Sequence, residues 1–242
     1  MAAKRAASDG APSPKRSKAA VDRPLFFFVA GAGGALPGDK AGEPPRSIKT
    51  LLAGLGDVAG PMESPPPGGA GCNAKALAKL HAAVAAACAA HPGRDVWLAT
   101  QSFGGRLAVH STIGGVENRG PGGKPPPWTE ADGRREWPAA VKGILAFGYP
   151  IHHSKQNRAA PLLELAPETR MLFVMGEKDE QSLGKPVDKG LLTGTIAKMP
   201  NKAAVEVLWV PRGGHNALDV PKTKRQDSND RILETVAAFI GK

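Results

Sequence analysis

The sequence contains little cysteine, and this excludes two classes of protein. Its 242 residues include only Cys72 and Cys88, too few for the disulfide framework of a small secreted domain. Two cysteines and six histidines also provide no spacing typical of a structural zinc site. Cys88 falls in an alanine-rich helical pattern, where a free thiol packs as a small apolar side chain. The cysteine content therefore favours a reducing compartment and a chain without a metal site.

Long apolar runs and aromatic residues are scarce as well. No segment approaches the ~20 apolar residues that cross a bilayer, so we expect no membrane contact. Aromatic residues make up 5% of the chain, with one Tyr, seven Phe and four Trp. This small aromatic content argues against a large apolar groove for lipid chains.

Positive charge is concentrated at the start of the chain. The net charge is +10, and the first 23 residues hold six Lys and Arg against two Asp. Residues 1–22 lack apolar periodicity and are predicted to form a disordered basic tail. Lys4-Arg5, followed after nine residues by Lys15-Arg16-Ser17-Lys18, is typical of a bipartite nuclear import signal. A solvated tail without a targeting role and an organellar transit peptide are the alternatives, so the predicted location is nuclear or cytoplasmic.

Residues 23–242 are predicted to form a single domain, because their length allows one core of generous size. They carry no basic stripe with interleaved aromatics, so we expect no specific nucleic-acid binding. Five short runs are almost continuously apolar, as expected of parallel strands covered by helices on both faces. These runs are Pro24–Ala30, Asp95–Thr100, Val141–Phe147, Met171–Met175 and Val205–Val210. The segment Gly56–Gly60 is a weaker candidate for a sixth strand.

Helical patterns lie between or after these runs. A helix capped by Asn73 has apolar residues at spacings of three and four and ends near Pro92. Its apolar positions are Leu77, Leu80, Val84 and Cys88. Two more helices are predicted, from about Ser102 to Ser111 and from about Asp230 to Ile240. The alternation of strands and helices predicts a doubly wound, mostly parallel α/β sheet with helices on both faces.

Reactive side chains follow three of the strands at their carboxyl ends, where function gathers in such a sheet. The segment Thr100–Gly105 places Ser102 at a strand-to-helix turn, a pattern typical of a nucleophile elbow. Asp179 lies on a tight turn after the fourth run, and His215 follows the fifth. The chain order Ser…Asp…His is that of α/β-hydrolases, in which the acid orients the histidine and the histidine takes the serine proton.

A glycine-rich turn, Ala30–Gly34, follows the first strand. Its backbone N–H groups can supply half of an oxyanion hole, and the N–H of Phe103 the other half. The rival interpretation is a dinucleotide-binding fingerprint. Its third position here is Leu36, and no acidic strand end follows about twenty residues later, so this interpretation fits poorly.

Five segments carry a more specific resemblance. They are Gly31–Gly34, Ser102–Arg106, Gly148–His152, Gly176–Asp179 and Gly214-His215. Together they resemble the α/β-hydrolase family of testis-expressed protein 30 and subunit 3 of the NSL chromatin complex, with its bacterial dienelactone-hydrolase-like relatives.

The resemblance covers roughly residues 24–240 and implies a hydrolase fold with a small or absent lid. It places Ser102, Asp179 and His215 at the triad positions, and Ala32 and Phe103 at the oxyanion positions. The sequence departs from the family pattern in three places. The strand that usually precedes the Asn73 helix is reduced to Gly56–Gly60. Ala30 stands where the family usually has His, and Thr100 stands where Gly is usual.

Several loops are long. The insertion 113–138 follows a helix that starts at the catalytic edge, so it is predicted to emerge at the opposite edge as a flexible loop or partner-binding segment. Residues 60–72 and 150–165 emerge on the catalytic side and are predicted to form walls of the substrate pocket. Gly31, Gly33, Tyr149 and His152, with His153 beside them, are the predicted substrate-contacting residues. For the two histidines, solvent-facing loop positions are an equal alternative.

The sequence therefore predicts a serine hydrolase that needs no metal or organic cofactor. Ser102 would attack a small-molecule ester with a short acyl group or polar substituents and form an acyl-enzyme. The alternative is a hydrolase-fold interaction module, a non-catalytic subunit that binds a nuclear protein through the tail or the 113–138 insertion.

Overall fold

The computed structural model describes residues 23–31, 38–62, 72, 74–113, 137–154, 157–215 and 217–242. The predicted basic tail, most of the predicted insertion, and both Ala32 and Gly33 lie outside the described residues. Within the described ranges, no helix has the length and apolar character required to cross a bilayer.

Six parallel strands form one sheet in the order β2-β1-β3-β4-β5-β6. They are β1 (Leu25–Val29), β2 (Asp57–Met62), β3 (Val96–Gln101), β4 (Val141–Phe147), β5 (Arg170–Gly176) and β6 (Val205–Val210). Strand β2 lies on one side of β1, and β3 to β6 follow in order on the other side. The direction in which successive strands are added therefore reverses beside β1. The prediction of a doubly wound parallel α/β sheet is confirmed.

Both faces of the sheet are buried, which explains the continuous apolar runs. In β1, Leu25, Phe27 and Val29 face one core, whereas Phe26 and Phe28 face the other. Helices α2 (Ala74–Ala90), α3 (Phe103–Ile113) and α5 (Lys189–Ile196) cover the first face. Helices α1 (Ile48–Leu52) and α6 (Arg225–Ile240) cover the second, and the short α4 (Glu180–Leu183) follows β5.

The sequence pattern was least informative for the short elements. The weaker strand candidate is realised as the edge strand β2, and Gly56 allows its close approach, since a Cβ there would lie 2.3 Å from the Pro24 carbonyl oxygen. Helix α6 begins at Arg225 rather than near Asp230. Helices α1, α4 and α5 were not predicted, because α1 and α4 span little more than one turn and α5 contains two glycines and two threonines.

The described residues on either side of positions 114–136 contact each other at the amino-terminal edge of the strands. Trp137 precedes β4 and donates its indole N–H to the hydroxyl oxygen of Thr112, near the end of α3 (3.2 Å). Its ring also stacks on His81 of α2, with ring centroids 4.0 Å apart. Because α3 starts beside Ser102 and runs away from it, these contacts lie at the edge opposite Ser102.

Arg94 ties three chain segments together at the amino-terminal edge. Its buried guanidinium donates to the carbonyl oxygens of Arg23 and Pro24, both at 2.9 Å, and to the Asp57 carboxylate at 2.6 Å. The same contact holds the pKa of Asp57 below its ordinary value.

Replacing Arg94 with methionine is therefore expected to lower the free energy of unfolding by about 2–4 kcal/mol, because the three hydrogen bonds of a buried charged group are lost together. Arg23→Met is the matched control: its half-exposed guanidinium contacts Asp57 at 3.9 Å, a surface pair whose loss costs about 0–1 kcal/mol. Urea unfolding of the three proteins measures both changes. Equal urea midpoints for Arg94→Met and Arg23→Met would contradict the stabilising role assigned to Arg94.

Candidate active site

Ser102 occupies a strained turn between β3 and α3. Its φ angle is +48°, a left-handed conformation that non-glycine residues seldom adopt. Its N–H donates to the Phe147 carbonyl oxygen of β4 (2.9 Å), and its own carbonyl accepts from Gly105 (3.0 Å). These bonds fix the turn, so that the side chain projects at the carboxyl edge of the sheet.

Glycine is required where α3 passes the end of β1. A Cβ at Gly104 would lie 2.4 Å from the Val29 carbonyl oxygen, and one at Gly31 would lie 3.3 Å from the Ser102 Cβ. The chain leaving β1 therefore runs directly alongside Ser102. The departure at Thr100 is accommodated locally, because the threonine is fully buried and its hydroxyl donates to the Leu145 carbonyl oxygen (3.1 Å).

The turns after β5 and β6 are joined to each other. The N–H of Lys178 donates to the Gly213 carbonyl oxygen (2.9 Å). A Cβ at Gly176 would lie 2.2 Å from the carbonyl oxygens of Gly213 and Gly214, so only glycine permits this contact. The backbone thereby holds the turns that carry Asp179 and His215 side by side.

Three predicted side chains meet at this edge. The His215 Nε2 atom lies 2.8 Å from the Ser102 Oγ atom, and its Nδ1 atom lies 3.1 and 3.2 Å from the two carboxylate oxygens of Asp179. The Asp179 side chain is fully buried, whereas that of His215 is 19% exposed. Because a carboxylate only accepts, the Nδ1–H donates to Asp179, which leaves Nε2 to accept the Ser102 hydroxyl proton.

A second serine, Ser182, contacts the same histidine from the other side. Its Oγ atom lies 3.0 Å from the His215 Nδ1 atom, and its hydroxyl donates to the Gly148 carbonyl oxygen (3.1 Å). Ser182 is fully buried and lies beside Nδ1. Its hydroxyl proton therefore cannot pass to Nε2. Of the two serines, Ser102 has the geometry of a nucleophile. Ser182 was missed from the sequence because no spacing distinguishes a serine three residues after an acidic turn.

Phe103 is the first residue of α3, so its backbone N–H has no acceptor within the helix. This N–H and the positive end of the helix dipole favour negative charge near Ser102. The other predicted oxyanion donor, Ala32, lies outside the described residues, as does Gly33. Only one half of the predicted oxyanion hole is therefore described.

The structure gives Tyr149 and His152 different surroundings. Tyr149 is buried: its ring contacts Phe173 edge-to-face at 5.6 Å, its hydroxyl donates to the Arg158 carbonyl oxygen (3.5 Å), and burial raises its pKa. We assign it a packing role rather than substrate contact. His152 is exposed. Its backbone N–H donates to the Ser182 carbonyl oxygen (2.8 Å), and its ring lies against Gly184. His153 is exposed as well.

Among the residues that the structure describes, no three potential ligands from His, Cys, Asp and Glu are grouped to hold a metal ion. The chemistry available at this edge is that of the serine hydroxyl, the imidazole and the buried carboxylate. Such an arrangement can activate the serine oxygen for attack on a carbonyl carbon.

Comparison with known proteins agrees with this geometry. A sequence profile described as alpha/beta hydrolase domain matches residues 69–242. No curated protein sequence matches the chain.

Solved structures share the fold at low sequence identity. Est1E from Butyrivibrio proteoclasticus has a TM-score of 0.57 and 14% identity, with 92% of this chain and 90% of that chain covered. Esterase 2 from Thermogutta terrifontis, phosphorylated by paraoxon, has a TM-score of 0.55 and 17% identity, with coverages of 94% and 86%. An uncharacterized protein from Bacillus cereus has a TM-score of 0.54 and 14% identity. The match covers 98% of this chain and 64% of the Bacillus protein.

Proposed function

The chain belongs to the alpha/beta hydrolase domain family, and from this premise we propose that it is a serine hydrolase that cleaves small carboxylic esters. One observation carries the proposal: Ser102, on a strained strand-to-helix turn, lies 2.8 Å from a histidine nitrogen whose ring is held by a buried carboxylate. His215 lies between the other two side chains, with Ser102 at Nε2 and Asp179 at Nδ1, which is the order that general-base activation of a serine requires.

In the acylation step, the Ser102 Oγ atom forms a bond to the ester carbonyl carbon while His215 Nε2 takes the hydroxyl proton. The carbonyl oxygen becomes an oxyanion, which the N–H of Phe103 and the proposed N–H of Ala32 stabilise. Collapse of this intermediate breaks the bond to the alkoxide, and His215 returns the proton to it. The products of this step are the free alcohol and an ester of Ser102.

In the deacylation step, His215 Nε2 takes a proton from water as the water oxygen attacks the acyl carbon. Collapse of the second tetrahedral intermediate returns the proton to the Ser102 oxygen and releases the carboxylic acid. Asp179 stays ionised and stabilises the imidazolium that forms in both steps. This cycle is complete without a metal or an organic cofactor.

The substrate is proposed to be small. The low aromatic content of the chain and the esterase from Thermogutta terrifontis, known with butyrate bound, both favour a short acyl group. The segments Ser102–Arg106 and Gly148–His152 support a place close to testis-expressed protein 30 and the dienelactone-hydrolase-like proteins. His152, exposed beside the turn that carries Asp179, remains a proposed substrate contact.

A fluorophosphonate probe tests the proposal, since it forms a covalent bond with an activated serine. The Thermogutta esterase is known in a form phosphorylated by paraoxon, another phosphorus electrophile. The wild-type protein is expected to be labelled, with the modified peptide containing Ser102. Ser102→Ala is expected to abolish the labelling. Ser111→Ala is the matched control, because Ser111 is a buried serine near the end of α3 that points away from Ser102, and its loss should leave labelling unchanged.

Circular dichroism of each protein confirms that the variants are folded before they are compared. Absence of labelling in a folded wild type would contradict the proposal and favour the non-catalytic interaction module. Labelling that persists in Ser102→Ala would assign the nucleophile to another residue.

A further inference from the structure

Ser182 contacts two members of the proposed triad, His215 and Asp179. It lies in α4, three residues after Asp179, and is fully buried. Its hydroxyl oxygen lies 3.0 Å from His215 Nδ1 and 3.1 Å from the Gly148 carbonyl oxygen, while its backbone N–H donates to Asp179 Oδ1 at 2.8 Å. One residue thus contacts both the proposed base and the acid that orients it.

The direction of the hydroxyl proton follows from its two partners. The Gly148 carbonyl oxygen can only accept, so the single hydroxyl proton of Ser182 points toward it. The lone pairs of the Ser182 oxygen then face His215 Nδ1, whose proton is directed toward this side of the ring by Asp179. The Nδ1–H therefore has two acceptors, the Asp179 carboxylate and the Ser182 hydroxyl oxygen.

The distances explain why a second acceptor matters. A charge-assisted N–H···O bond is typically about 2.7–2.9 Å long, whereas Nδ1 lies 3.1 and 3.2 Å from the two Asp179 oxygens. The contact between Nδ1 and the Asp179 carboxylate is therefore longer than a typical charge-assisted bond, and it is divided almost evenly between the two carboxylate oxygens. The Ser182 oxygen, at 3.0 Å, is nearer to Nδ1 than either carboxylate oxygen.

We propose that Ser182 is a positioning residue: it shares the Nδ1–H of His215 with Asp179 and fixes the ring so that Nε2 faces Ser102. This inference rests on the proposed function. The positive charge that His215 gains in each step is then stabilised by the Ser182 hydroxyl oxygen as well as by the two carboxylate oxygens of Asp179. The hydroxyl makes no contact with the substrate and acts only through His215.

The test compares Ser182→Ala with Ser182→Cys and with Ser111→Ala. Ser182→Ala is expected to lower kcat for a short-chain p-nitrophenyl ester by about 10- to 100-fold with KM unchanged, as loss of a hydrogen bond to a charged group predicts. Ser182→Cys fills the same space with a weaker acceptor, so a lasting loss of kcat there excludes a cavity effect. Ser111→Ala, which removes a buried hydroxyl elsewhere, is expected to leave kcat unchanged.

A second readout is independent of turnover. The low-field proton resonance of His215 Nδ1–H is expected to shift and to exchange faster with water in Ser182→Ala, but not in Ser111→Ala. If the wild type hydrolyses no ester, the proposed function fails and this resonance alone decides the role of Ser182. An unchanged resonance, or a kcat within twofold of wild type in Ser182→Ala, would overturn the inference.

Discussion

Replacing His215 with glutamine is expected to lower kcat/KM for ester hydrolysis by roughly 10⁴-fold or more, the scale on which loss of a triad histidine acts. The His215 Nε2 atom lies 2.8 Å from the Ser102 oxygen and is the proposed proton acceptor for both steps. An amide side chain is about the right size for the site but cannot take up the proton at neutral pH. Steady-state kinetics on a short-chain p-nitrophenyl ester measures the loss.

His91→Gln is the matched control, since His91 follows α2 at the opposite edge of the sheet, where its backbone N–H donates to Ala87 and its carbonyl oxygen accepts from Arg94. Its kcat/KM is expected to equal that of the wild type. The double variant Ser102→Ala/His215→Gln is expected to be no slower than either single variant, because residues that act as a unit lose their effect together. A His215→Gln enzyme within tenfold of wild type would show that another group takes the proton.

Much of the fold was predictable because parallel strands buried on both faces have an unmistakable composition. The five continuous apolar runs became β1 and β3–β6 with boundaries shifted by one residue or none. The predicted meeting of Ser102, Asp179 and His215 depended on one topological rule: the carboxyl ends of parallel strands share an edge. Their contacts follow from that rule, since the turns after β3, β5 and β6 all lie at this edge of one sheet.

Other features could not be predicted because they depend on tertiary contacts. The apolar side of Tyr149 and its polar tip suit a pocket wall as well as a core, and only the packing of Phe173 against its ring decides between them. Ser182 carries no local signal, since its role depends on Gly148 and His215, both distant in sequence. Edge strand β2 lacks a continuous apolar run because its faces are only partly covered: Asp57 and Gly60 are exposed, and Val58 and Ala59 are half-buried.

Replacing Gly148 with alanine is expected to lower the free energy of unfolding by about 2–4 kcal/mol, from backbone strain and overpacking together. Gly148 has φ +59°, and a Cβ there would lie 1.8 Å from the His215 carbonyl oxygen. The backbone that carries His215 must therefore move away, which also lengthens the contact between Nε2 and Ser102. Ester hydrolysis is expected to fall by about 100-fold or more even where the variant is fully folded, since a shift of about 1 Å has that effect.

Gly42→Ala separates the two causes. Gly42 has a similar positive φ, +74°, but a Cβ there would meet no atom within 4 Å, so only the backbone strain of about 1–2 kcal/mol applies. Thermal unfolding of both variants, with esterase activity measured well below the lower melting temperature, gives the two quantities. The excess destabilisation and the whole loss of activity in Gly148→Ala then report the contact with the His215 turn. Equal stability and equal activity in the two variants would mean that the turn carrying His215 can shift without moving the imidazole. The close packing of Gly148 against that turn would then have no part in positioning His215.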